Sequence, residues 1–456
     1  MARIVSGAVQ LKAGRVNSLT SAMPSSLRNL LGAVVLLVAA ATVTLPAHAA
    51  FSTEDLSHYT FDMYLKDFNK RYDDPNEYRK RSEVFQSSLS KIAAFNKIPG
   101  RSYQLGVNKF SDLTNEEFKT RFTGRVTTPR LHGSLRRKIY NHKGAAVPDA
   151  MTWQDANPPV LTPVKDQGGC GSCWAHAATE SVESMYAIGS SKLLTLSTQQ
   201  ITSCTNNSDH CGGEGGCSGG TAQLAWEYIR NASGIALEED YPYVSGTTTK
   251  TEECIMNAST PSEVKVYGYV SLPHNDYNAV VEALVTKGPL AVSVDASEWQ
   301  FYTSGIFDIC GKNNQNITIN HAVQLVGYGT NETTKQDFWI VRNSWDERWG
   351  ENGYIRLLRK KTDDVCVLDN GWNTEGGGCE NDSEVNITAC GMCGILYDVS
   401  YPQVFQEPEK GKLVWIAGAA FGALGVLMIG LVVYSKCFRA KKSTDVSLLD
   451  ESESLN

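Results

Sequence analysis

The sequence lacks an excess of positive charge, because its 42 Lys and Arg residues stand against 49 Asp and Glu residues, a formal net charge of -7. Without a global positive field the chain cannot hold nucleic acid phosphates over a broad surface, so nucleic acid is excluded as a leading partner. No long-range repeat is evident. With 42% hydrophobic and 20% charged residues, the 456-residue chain is neither disordered nor collagen-like, and it is long enough for more than one folded unit.

Cysteine is sparse for a miniature disulfide scaffold, although 12 cysteines are many for a protein of the reducing cytosol. Targeting segments therefore have to indicate the compartment. The stretch from Leu30 to Leu45 is almost wholly apolar, follows a mildly basic start and precedes the small residues Ala47-His48-Ala49. This pattern predicts a secretory signal peptide over residues 1–49, with an uncleaved anchor as the alternative because the basic leader is long.

A second apolar run, residues 413–434, contains 22 residues without a charge. At about 1.5 Å per residue it is long enough to cross about 30 Å of hydrocarbon, so it predicts a transmembrane helix. Lys436 and Arg439 follow at once, which places residues 435–456 in the cytoplasm and predicts a type I single-pass protein anchored in the lipid bilayer. Seven N-x-S/T sequons lie on the predicted lumenal side, where glycosylation is expected: Asn206, Asn231, Asn257, Asn316, Asn331, Asn381 and Asn386.

Charge is divided unevenly along the predicted lumenal region. Residues 51–146 contain 18 Lys and Arg against 11 Asp and Glu, whereas residues 147–402 contain 14 against 32. A basic segment thus precedes an acidic one, and the two could dock on each other. Helical spacing of apolar residues dominates the first segment and strand alternation the later part of the second, which predicts an α+β fold. Residues 362–390 show no clear period and predict a glycosylated, disulfide-tied surface insertion.

Cys173 is the first candidate for chemistry. It follows the Gly/Cys-rich turn 168–173 and opens a predicted helix that runs to about Ile188. The N-terminus of a helix offers a positive dipole end and unpaired backbone N–H groups, which stabilise a nucleophilic thiolate. Two alternatives remain on spacing alone: Cys170 and Cys173 could form a C-x-x-C redox pair, or half of a zinc site completed by Cys390 and Cys393.

Several motifs share one further pattern. The run Gln167-Gly168-Gly169-Cys170-Gly171-Ser172-Cys173-Trp174 is followed by Asn320-His321-Ala322 and by Asn343-Ser344-Trp345. Their order and separation resemble the papain-like cysteine proteases, and the resemblance covers about residues 61–402. It implies a helical left lobe and a β-barrel-like right lobe with a cleft between them. Further fitting motifs are Cys217-Ser218-Gly219-Gly220, Tyr241-Pro242-Tyr243, Val326-Gly327-Tyr328-Gly329 and Trp349-Gly350-Glu351-Asn352-Gly353-Tyr354.

The resemblance implies a role for each residue of the site. Cys173 would attack the peptide carbonyl, and His321 would protonate the leaving amine. Asn343 would hold the imidazole ring, with Trp345 shielding that hydrogen bond. Gln167 and the backbone N–H of Cys173 would form the oxyanion hole. The resemblance also implies protein or peptide substrates and no metal or cofactor, and the absence of a recognisable occluding insertion favours endopeptidase activity.

The basic segment, residues 50–146, resembles the inhibitory propeptide of cathepsin L-like enzymes. Glu77, Arg81, Phe85, Ile92 and Asn96 fit its first pattern, with Ser88 replacing one Asn, and Gly106, Asn108, Phe110 and Asp112 fit its second. Such a propeptide lies across the cleft and must be removed, which predicts a zymogen with a peptidase domain at 147–402. Acid would protonate carboxylates and weaken the attraction between the segments, with cleavage near Gly144 to Val147.

The resemblance also implies disulfides and a specificity pocket. By the family pattern, Cys170 would pair with Cys217, Cys204 with Cys254, and Cys310 with Cys393. Cys211, Cys366, Cys379 and Cys390 have no counterparts, and their pairing stays open. Asp398 falls at the floor of the pocket for the second residue before the scissile bond, where it would let Arg or Lys enter; an exposed aspartate at a strand end is the alternative. The remaining substrate-binding positions are Gly219, Gly220, Thr221, Ala222, Ser293, Asn320, Ala322 and Trp345.

Two departures from the family pattern bear on function. His176 lies where relatives usually carry Phe, and a core or interface histidine is the expectation there, with an effect on the thiolate as the alternative. The other departure is the anchor itself, joined by the linker 403–412. Residues 445–451 resemble an acidic dileucine signal for a sorting adaptor, although a solvated tail is an equal alternative. We expect a monomer on the secretory route, in endosomal or lysosomal membranes, with the cell surface as the alternative.

Rival functions remain at this point. An adhesin or receptor on a silenced papain fold is one, and the presence of the nucleophile and its partners speaks against it. An oxidoreductase using the C-x-x-C motifs is the other, and it predicts that Cys170 is reversibly reduced rather than tied to Cys217.

Overall fold

We describe the fold from a computed structural model, which describes residues 55–123, 137–256, 262–312, 315–360, 366–370 and 386–405. The predicted signal peptide (1–49), transmembrane helix (413–434) and cytoplasmic tail (435–456) lie outside these ranges, as do Asn257 and Asn381. Within the described ranges, no helix combines the length and apolar character that crossing a membrane requires.

The described part of the chain contains eight α-helices, twelve strands and three short 3-10 helices at Asp55–Ser57, Trp153–Asp155 and Met392–Gly394. The helices are α1 (Phe61–Asp67), α2 (Pro75–Asn96), α3 (Asn115–Phe122), α4 (Cys173–Ser190), α5 (Thr198–Cys204), α6 (Ala222–Asn231), α7 (Ser245–Thr248) and α8 (Tyr277–Thr286). The strands are β1 (Tyr103–Leu105), β2 (Arg137–Ile139), β3 (Met151–Thr152), β4 (Gly268–Ser271), β5 (Leu290–Val294), β6 (Tyr302–Phe307), β7 (His321–Thr330), β8 (Asp337–Arg342), β9 (Tyr354–Leu358), β10 (Cys366–Asp369), β11 (Ile387–Cys390) and β12 (Val399–Gln403).

The propeptide helices begin at clear sequence signals. Asp74 caps α2, its side chain accepting from the backbone N–H of Asn76, and Pro75 occupies the first turn. Thr114 and Glu117 form a reciprocal capping box at the start of α3. Because these caps satisfy N–H groups that a helix leaves unpaired, each helix starts at a defined residue.

Both propeptide motifs meet in one polar cluster. Arg81 of α2 bonds Glu77 at 2.7 Å and Glu117 of α3 at 2.6 Å, and it also donates to the backbone carbonyl of Asp112. The buried Asp112 carboxylate accepts from Tyr64 at 2.9 Å. The two patterns therefore fix α2, α3 and the intervening loop relative to one another.

The peptidase part divides as the α+β expectation requires, into a mainly helical lobe and a lobe built on a sheet. The helix α4 is the centre of the left lobe and packs against α5 and α6. The right lobe is built on a sheet with the strand order β1-β6-β9-β8-β7-β5-β12-β4-β2, and β3 pairs with β7. The helix α4 also packs against β7, which brings the two lobes together, and Gln324 of β7 donates to Ser184 of α4.

The propeptide contributes a strand to each end of this sheet. Strand β1 pairs antiparallel with β6, Tyr103 opposite Gly305, and β2 pairs in parallel with β4, Lys138 opposite Val270. The backbone hydrogen bonds of these pairs fix the propeptide on the right lobe before and after it crosses the cleft.

The predicted insertion contains more structure than its sequence indicated. Strands β10 and β11 form an antiparallel hairpin, and the disulfide Cys366–Cys390 joins paired positions. In β10 the side chains alternate between exposed and buried, with Val367 and Asp369 buried. Four residues of alternation in each strand are too short to stand out from the surrounding Gly, Asn and Asp, so the sequence did not indicate this strand pair. The disulfide agrees with the predicted disulfide-tied segment.

Candidate active site

Cys173 is the first residue of the 18-residue helix α4 and is fully buried. The turn before it is held by the disulfide Cys170–Cys217 and by a hydrogen bond from the Gly171 N–H to the Cys217 carbonyl. Cys173 itself is a thiol and takes part in no disulfide. The fold therefore places this thiol at the positive end of the longest helix of the left lobe, as predicted.

His321 is the first residue of β7, the strand on which α4 packs. Its Nε2 atom lies 2.8 Å from Oδ1 of Asn343, the residue that follows β8. Since an amide oxygen accepts, this contact assigns the proton to Nε2. The other ring nitrogen, Nδ1, is buried and has no hydrogen-bond partner among the described residues, so it is the nitrogen left for a reacting group.

Aromatic side chains enclose the imidazole. The Trp345 ring stacks on His321 with centroids 4.7 Å apart, and Trp299 meets it edge-on at 6.1 Å. Burial lowers the pKa of His321 to about 4, and the hydrogen bond with Asn343 acts in the opposite direction. With its ring enclosed in this way, the imidazole is therefore neutral near pH 7.

Gln167 points its side-chain amide at a propeptide carbonyl. Its Nε2 donates to the backbone oxygen of Phe122 at 3.1 Å, while its Oε1 accepts from Ser344 Oγ at 2.7 Å. The indole N–H of Trp345 donates to the same Phe122 oxygen at 3.2 Å. A peptide carbonyl of the propeptide thus occupies the donor of the predicted oxyanion hole.

An aromatic cluster holds that carbonyl in place. The Phe110 and Phe118 rings both meet Trp345 edge-on, at 5.4 and 5.2 Å, and Phe122 lies 4.6 Å from Phe110. All three phenylalanines are buried. Sequence reasoning identified Phe110 from its motif but missed Phe118 and Phe122, which carry no signal except helical spacing on α3.

Asp398 is buried rather than exposed, so the alternative of an exposed aspartate at a strand end was wrong. Its carboxylate accepts from Ser293 Oγ at 2.6 Å and from Gln223 Nε2 at 3.0 Å. Ser293 pairs with Ala322 across β5 and β7. These contacts bring the predicted floor and right wall of the pocket together.

The left wall of the predicted pocket lies at the start of α6. Thr221 caps this helix, its side chain accepting from the Leu224 N–H, and Ala222 is the first helical residue. Gly219 has φ of +99°, and a Cβ at Gly220 would lie 2.8 Å from the Trp174 ring. Only glycine therefore fits these two positions. Gln223, which joins this wall to Asp398, was missed because nothing in its local sequence indicates a contact 175 residues away.

Asn320 lies at the edge of a cavity of about 580 Å³ between the propeptide helix α3 and the peptidase domain. Its side-chain amide bonds Ser297 Oγ at 2.9 Å, and its Oδ1 accepts from the Ala296 N–H. Lys119 and Glu214 line opposite sides of the same cavity. The propeptide thus covers the cleft near Asn320 without filling it.

His176 is a core residue, as expected. Its Nδ1 lies 3.0 Å from the Ser172 carbonyl and its ring meets Tyr243 edge-on, with centroids 4.9 Å apart. Burial lowers its pKa to about 3, so the ring stays neutral. One turn further along α4, Glu180 is buried 3.4 Å from Arg342, and burial raises the pKa of Glu180 to about 7. Sequence reasoning missed this pair.

The cysteines exclude the redox and zinc interpretations. The structure contains Cys170–Cys217, Cys204–Cys254 and Cys310–Cys393, the three pairings that the resemblance implies. Cys366–Cys390 is a fourth pair, and Cys211 is also disulfide-bonded. Neither C-x-x-C motif is closed on itself. No group of His, Cys, Asp or Glu suited to a metal ion occurs in the part of the chain that the structure describes.

Five of the seven sequons fall in the described ranges. Asn206, Asn231, Asn316 and Asn386 are exposed and Asn331 is partly exposed. Their position on the surface leaves room for a glycan at each.

Comparison with known proteins agrees with this geometry. Residues 147–375 match the model of the papain family cysteine proteases, and residues 61–118 match that of the cathepsin propeptide inhibitor domain (I29). The chain is 34% identical to the probable cysteine protease RD21C of Arabidopsis thaliana over 71% of its own length and 69% of that protein.

Two solved structures of precursors are similar as well. A recombinant stem bromelain precursor matches with a TM-score of 0.60 at 32% identity, over 76% of this chain and 98% of that one. Digestive procathepsin L 3 of Tenebrio molitor larval midgut matches with a TM-score of 0.57 at 29% identity, over 77% and 98%. The chain therefore belongs to the papain family of cysteine proteases and is the zymogen of an endopeptidase, with a cathepsin-type inhibitory propeptide.

Proposed function

We propose that Cys173, His321, Asn343 and Gln167 carry out peptide hydrolysis in the mature enzyme. The main support is the Gln167 amide, which already donates to a peptide carbonyl of the propeptide at 3.1 Å. The hydrogen bond between His321 and Asn343 supports it further, because it leaves Nδ1 available.

The reaction proceeds in two stages, acylation of Cys173 and hydrolysis of the acyl-enzyme. The Cys173 thiolate attacks the carbonyl carbon and forms a C–S bond, while the oxyanion accepts from Gln167 Nε2 and the Cys173 N–H. His321, as imidazolium, gives its proton to the leaving nitrogen when the C–N bond breaks. Water then attacks the acyl-enzyme with His321 as base, and the C–S bond breaks to return the thiolate.

Labelling with an epoxysuccinyl thiol reagent tests these roles. After acid treatment we expect mass spectrometry to find the adduct on Cys173, and we expect His321→Ala to abolish it because the thiolate loses its imidazolium partner. No adduct after demonstrated propeptide removal would contradict the proposal and favour a silenced scaffold.

We also propose that Asp398 makes the enzyme accept Arg or Lys at the second residue before the cleaved bond. The supporting observation is a set of contacts around the Asp398 carboxylate. It accepts hydrogen bonds from Ser293, which pairs with Ala322 across β5 and β7, and from Gln223 of α6. A buried carboxylate favours a cationic side chain that can replace its neutral hydrogen-bond donors.

Charged contacts between the propeptide and the peptidase domain bear on how the enzyme matures. We propose that acid starts propeptide removal near Gly144 to Val147; among the described residues, the ion pair Lys109–Asp166, at 2.6 Å, joins propeptide and peptidase domain. Equal processing rates at pH 7 and pH 4.5 would contradict this electrostatic account.

We further propose a type I protein held in endosomal or lysosomal membranes by residues 413–434, on the basis of their 22 charge-free residues and the basic residues that follow. Extraction with alkaline carbonate tests the anchor. The full chain is expected in the membrane pellet and a chain ending at residue 412 in the supernatant; release of the full chain would contradict the anchor.

A further inference from the structure

Glu282 of α8 receives several hydrogen bonds from the last residues of the propeptide. The backbone N–H of Lys143 lies 2.9 and 3.0 Å from its two carboxylate oxygens, and the N–H of Ala145 lies 2.8 Å from Oε2. The Tyr140 hydroxyl donates to Oε1 at 2.8 Å. Glu282 is only 4% exposed, so these donors replace most of the water that its carboxylate would otherwise bind.

The backbone of this segment is shaped around the carboxylate. Gly144 adopts φ of +69°, which lets the N–H groups before and after it face the same side. The Gly144 N–H itself donates to His142 Nδ1 at 3.2 Å, and this ring lies 3.4 Å from Glu282. A concave row of N–H groups of this kind binds an anion, and here the peptidase domain supplies the anion.

This contact is separate from the catalytic cleft. Glu282 and Tyr328 line the same cavity of about 300 Å³, next to residues 142–149. His321 lies seven residues earlier on β7, so at about 3.3 Å per residue the two places are roughly 23 Å apart along the strand. The contacts that hold Tyr140–Ala145 are therefore separate from the contacts that hold Phe122 in the cleft.

We propose that Glu282 forms a second propeptide-binding site on the peptidase domain, whose ligand is the segment Tyr140–Ala145 and which keeps the maturation junction closed. The inference rests on the proposed cleavage near Gly144 to Val147. A peptide bond must detach from its surroundings before it can enter a protease cleft, and Glu282 holds the residues on the N-terminal side of those bonds. Removing this carboxylate frees the junction while the cleft stays blocked.

Amide hydrogen exchange at pH 7 tests the site in the full chain carrying Cys173→Ala, which prevents self-cleavage. The Lys143 N–H lowers the pKa of Glu282 to about 2, so the carboxylate is charged under these conditions. With Glu282→Gln we expect the amides of Lys143 and Ala145 to exchange roughly tenfold faster, because a neutral amide binds N–H groups more weakly than a carboxylate.

Asp149→Asn is the matched control, since it removes the same charge from the edge of the same cavity and Asp149 is exposed. We expect it to leave exchange at residues 143 and 145 unchanged. Tyr140→Phe removes one donor from the propeptide side without altering the peptidase domain, and we expect a smaller increase. If Glu282→Gln lowers the melting temperature of the chain, the exchange rates of residues 143 and 145 in Tyr140→Phe decide whether the contact holds this segment.

Equal amide exchange at residues 143 and 145 in the parent, in Glu282→Gln and in Tyr140→Phe would overturn the inference. Because the measurement needs no protease activity, this result is distinct from a failure of the proposed catalysis. In a chain with Cys173 intact, Glu282→Gln should also speed processing at pH 7, whereas unchanged processing together with faster exchange would limit Glu282 to binding and contradict its role in closing the junction.

Discussion

Gln167 has two functions on one side chain. In the zymogen its amide holds the Phe122 carbonyl, and in the proposed reaction the same amide stabilises the oxyanion. Ser344 orients it by donating to Oε1, so the amide nitrogen cannot turn away. The residue that we propose assists the transition state is thus also the one that the propeptide engages.

We expect Gln167→Ala to lower kcat of the mature enzyme about a hundredfold or more with little change in KM, because one lost oxyanion donor costs on the order of 3 kcal/mol. Steady-state kinetics with a peptide substrate measure this. The exposed Glu347→Gln, two residues after Trp345, serves as the control and should match the parent. If kcat fell equally in Gln167→Ala and Glu347→Gln, Gln167 would have no specific role in the mechanism.

For Asp398→Ala we expect kcat/KM on an Arg-Arg dipeptidyl substrate to fall roughly 10- to 100-fold, the effect of losing one charged hydrogen-bonded pair. The Phe-Arg substrate should change by no more than about threefold, since an apolar ring does not use the carboxylate. The measured quantity is kcat/KM for the Arg-Arg substrate divided by kcat/KM for the Phe-Arg substrate. Ser400→Ala, which loses only a neutral bond to Gln223, is the control; an unchanged ratio in Asp398→Ala contradicts the proposal.

Residues that act through local backbone geometry were predictable from the sequence, and those that act across the fold were not. Cys173 follows a Gly/Cys-rich turn, and Gly219 and Gly220 occupy positions where a Cβ is excluded, so each leaves a short readable motif. Gln223 and Glu282 use ordinary side chains on ordinary helices, and their partners come from distant parts of the chain. Only the packing of the lobes brings them together.

At the scale of elements, helix α3 blocks the site. Its capping box sets where it begins, and its last residue, Phe122, supplies the carbonyl bound by Gln167 and Trp345. Phe118 meets the Trp345 ring edge-on, and Phe122 packs on Phe110, which meets the same indole. Blocking thus depends on one eight-residue helix and its apolar contacts.

Phe122→Ala in the intact zymogen should speed labelling of Cys173 by the epoxysuccinyl reagent roughly 100-fold at pH 7, because truncating a buried Phe costs about 3 kcal/mol or more. The rate of adduct formation by mass spectrometry is the measurement. Met63→Ala, on an exposed position of α1, is the control. A rate equal to that of the parent would show that α3 is held mainly by other contacts.

At the scale of the whole molecule, propeptide stability depends on carboxylates that are charged when folded. Burial acts to raise the pKa of Glu117, but hydrogen bonds from Arg81, Lys80 and the Thr114 N–H hold it well below its usual range. A carboxyl group with a lowered pKa stabilises the folded form above its unfolded pKa and loses that contribution as pH falls towards the folded value. Acid therefore loosens the contact between α2 and α3.

We expect the propeptide of the Cys173→Ala chain to melt at a lower temperature as pH falls from about 5 to 3, below the unfolded pKa of a Glu near 4.3. Glu117→Gln should be less stable at pH 7 and should show a flatter pH dependence, measured by circular dichroism. Glu83→Gln, exposed on α2, is the control. A pH dependence unchanged by Glu117→Gln would contradict this assignment.

The position of β1 and β2 at the two ends of the sheet has a consequence for the processed enzyme. Excision of the propeptide removes both, so β6 and β4 each lose a row of backbone partners. Unpaired sheet edges invite strand addition from other chains. The propeptide thus shields against aggregation as well as blocking the cleft, and the mature protease has to avoid strand addition at two bare β-edges.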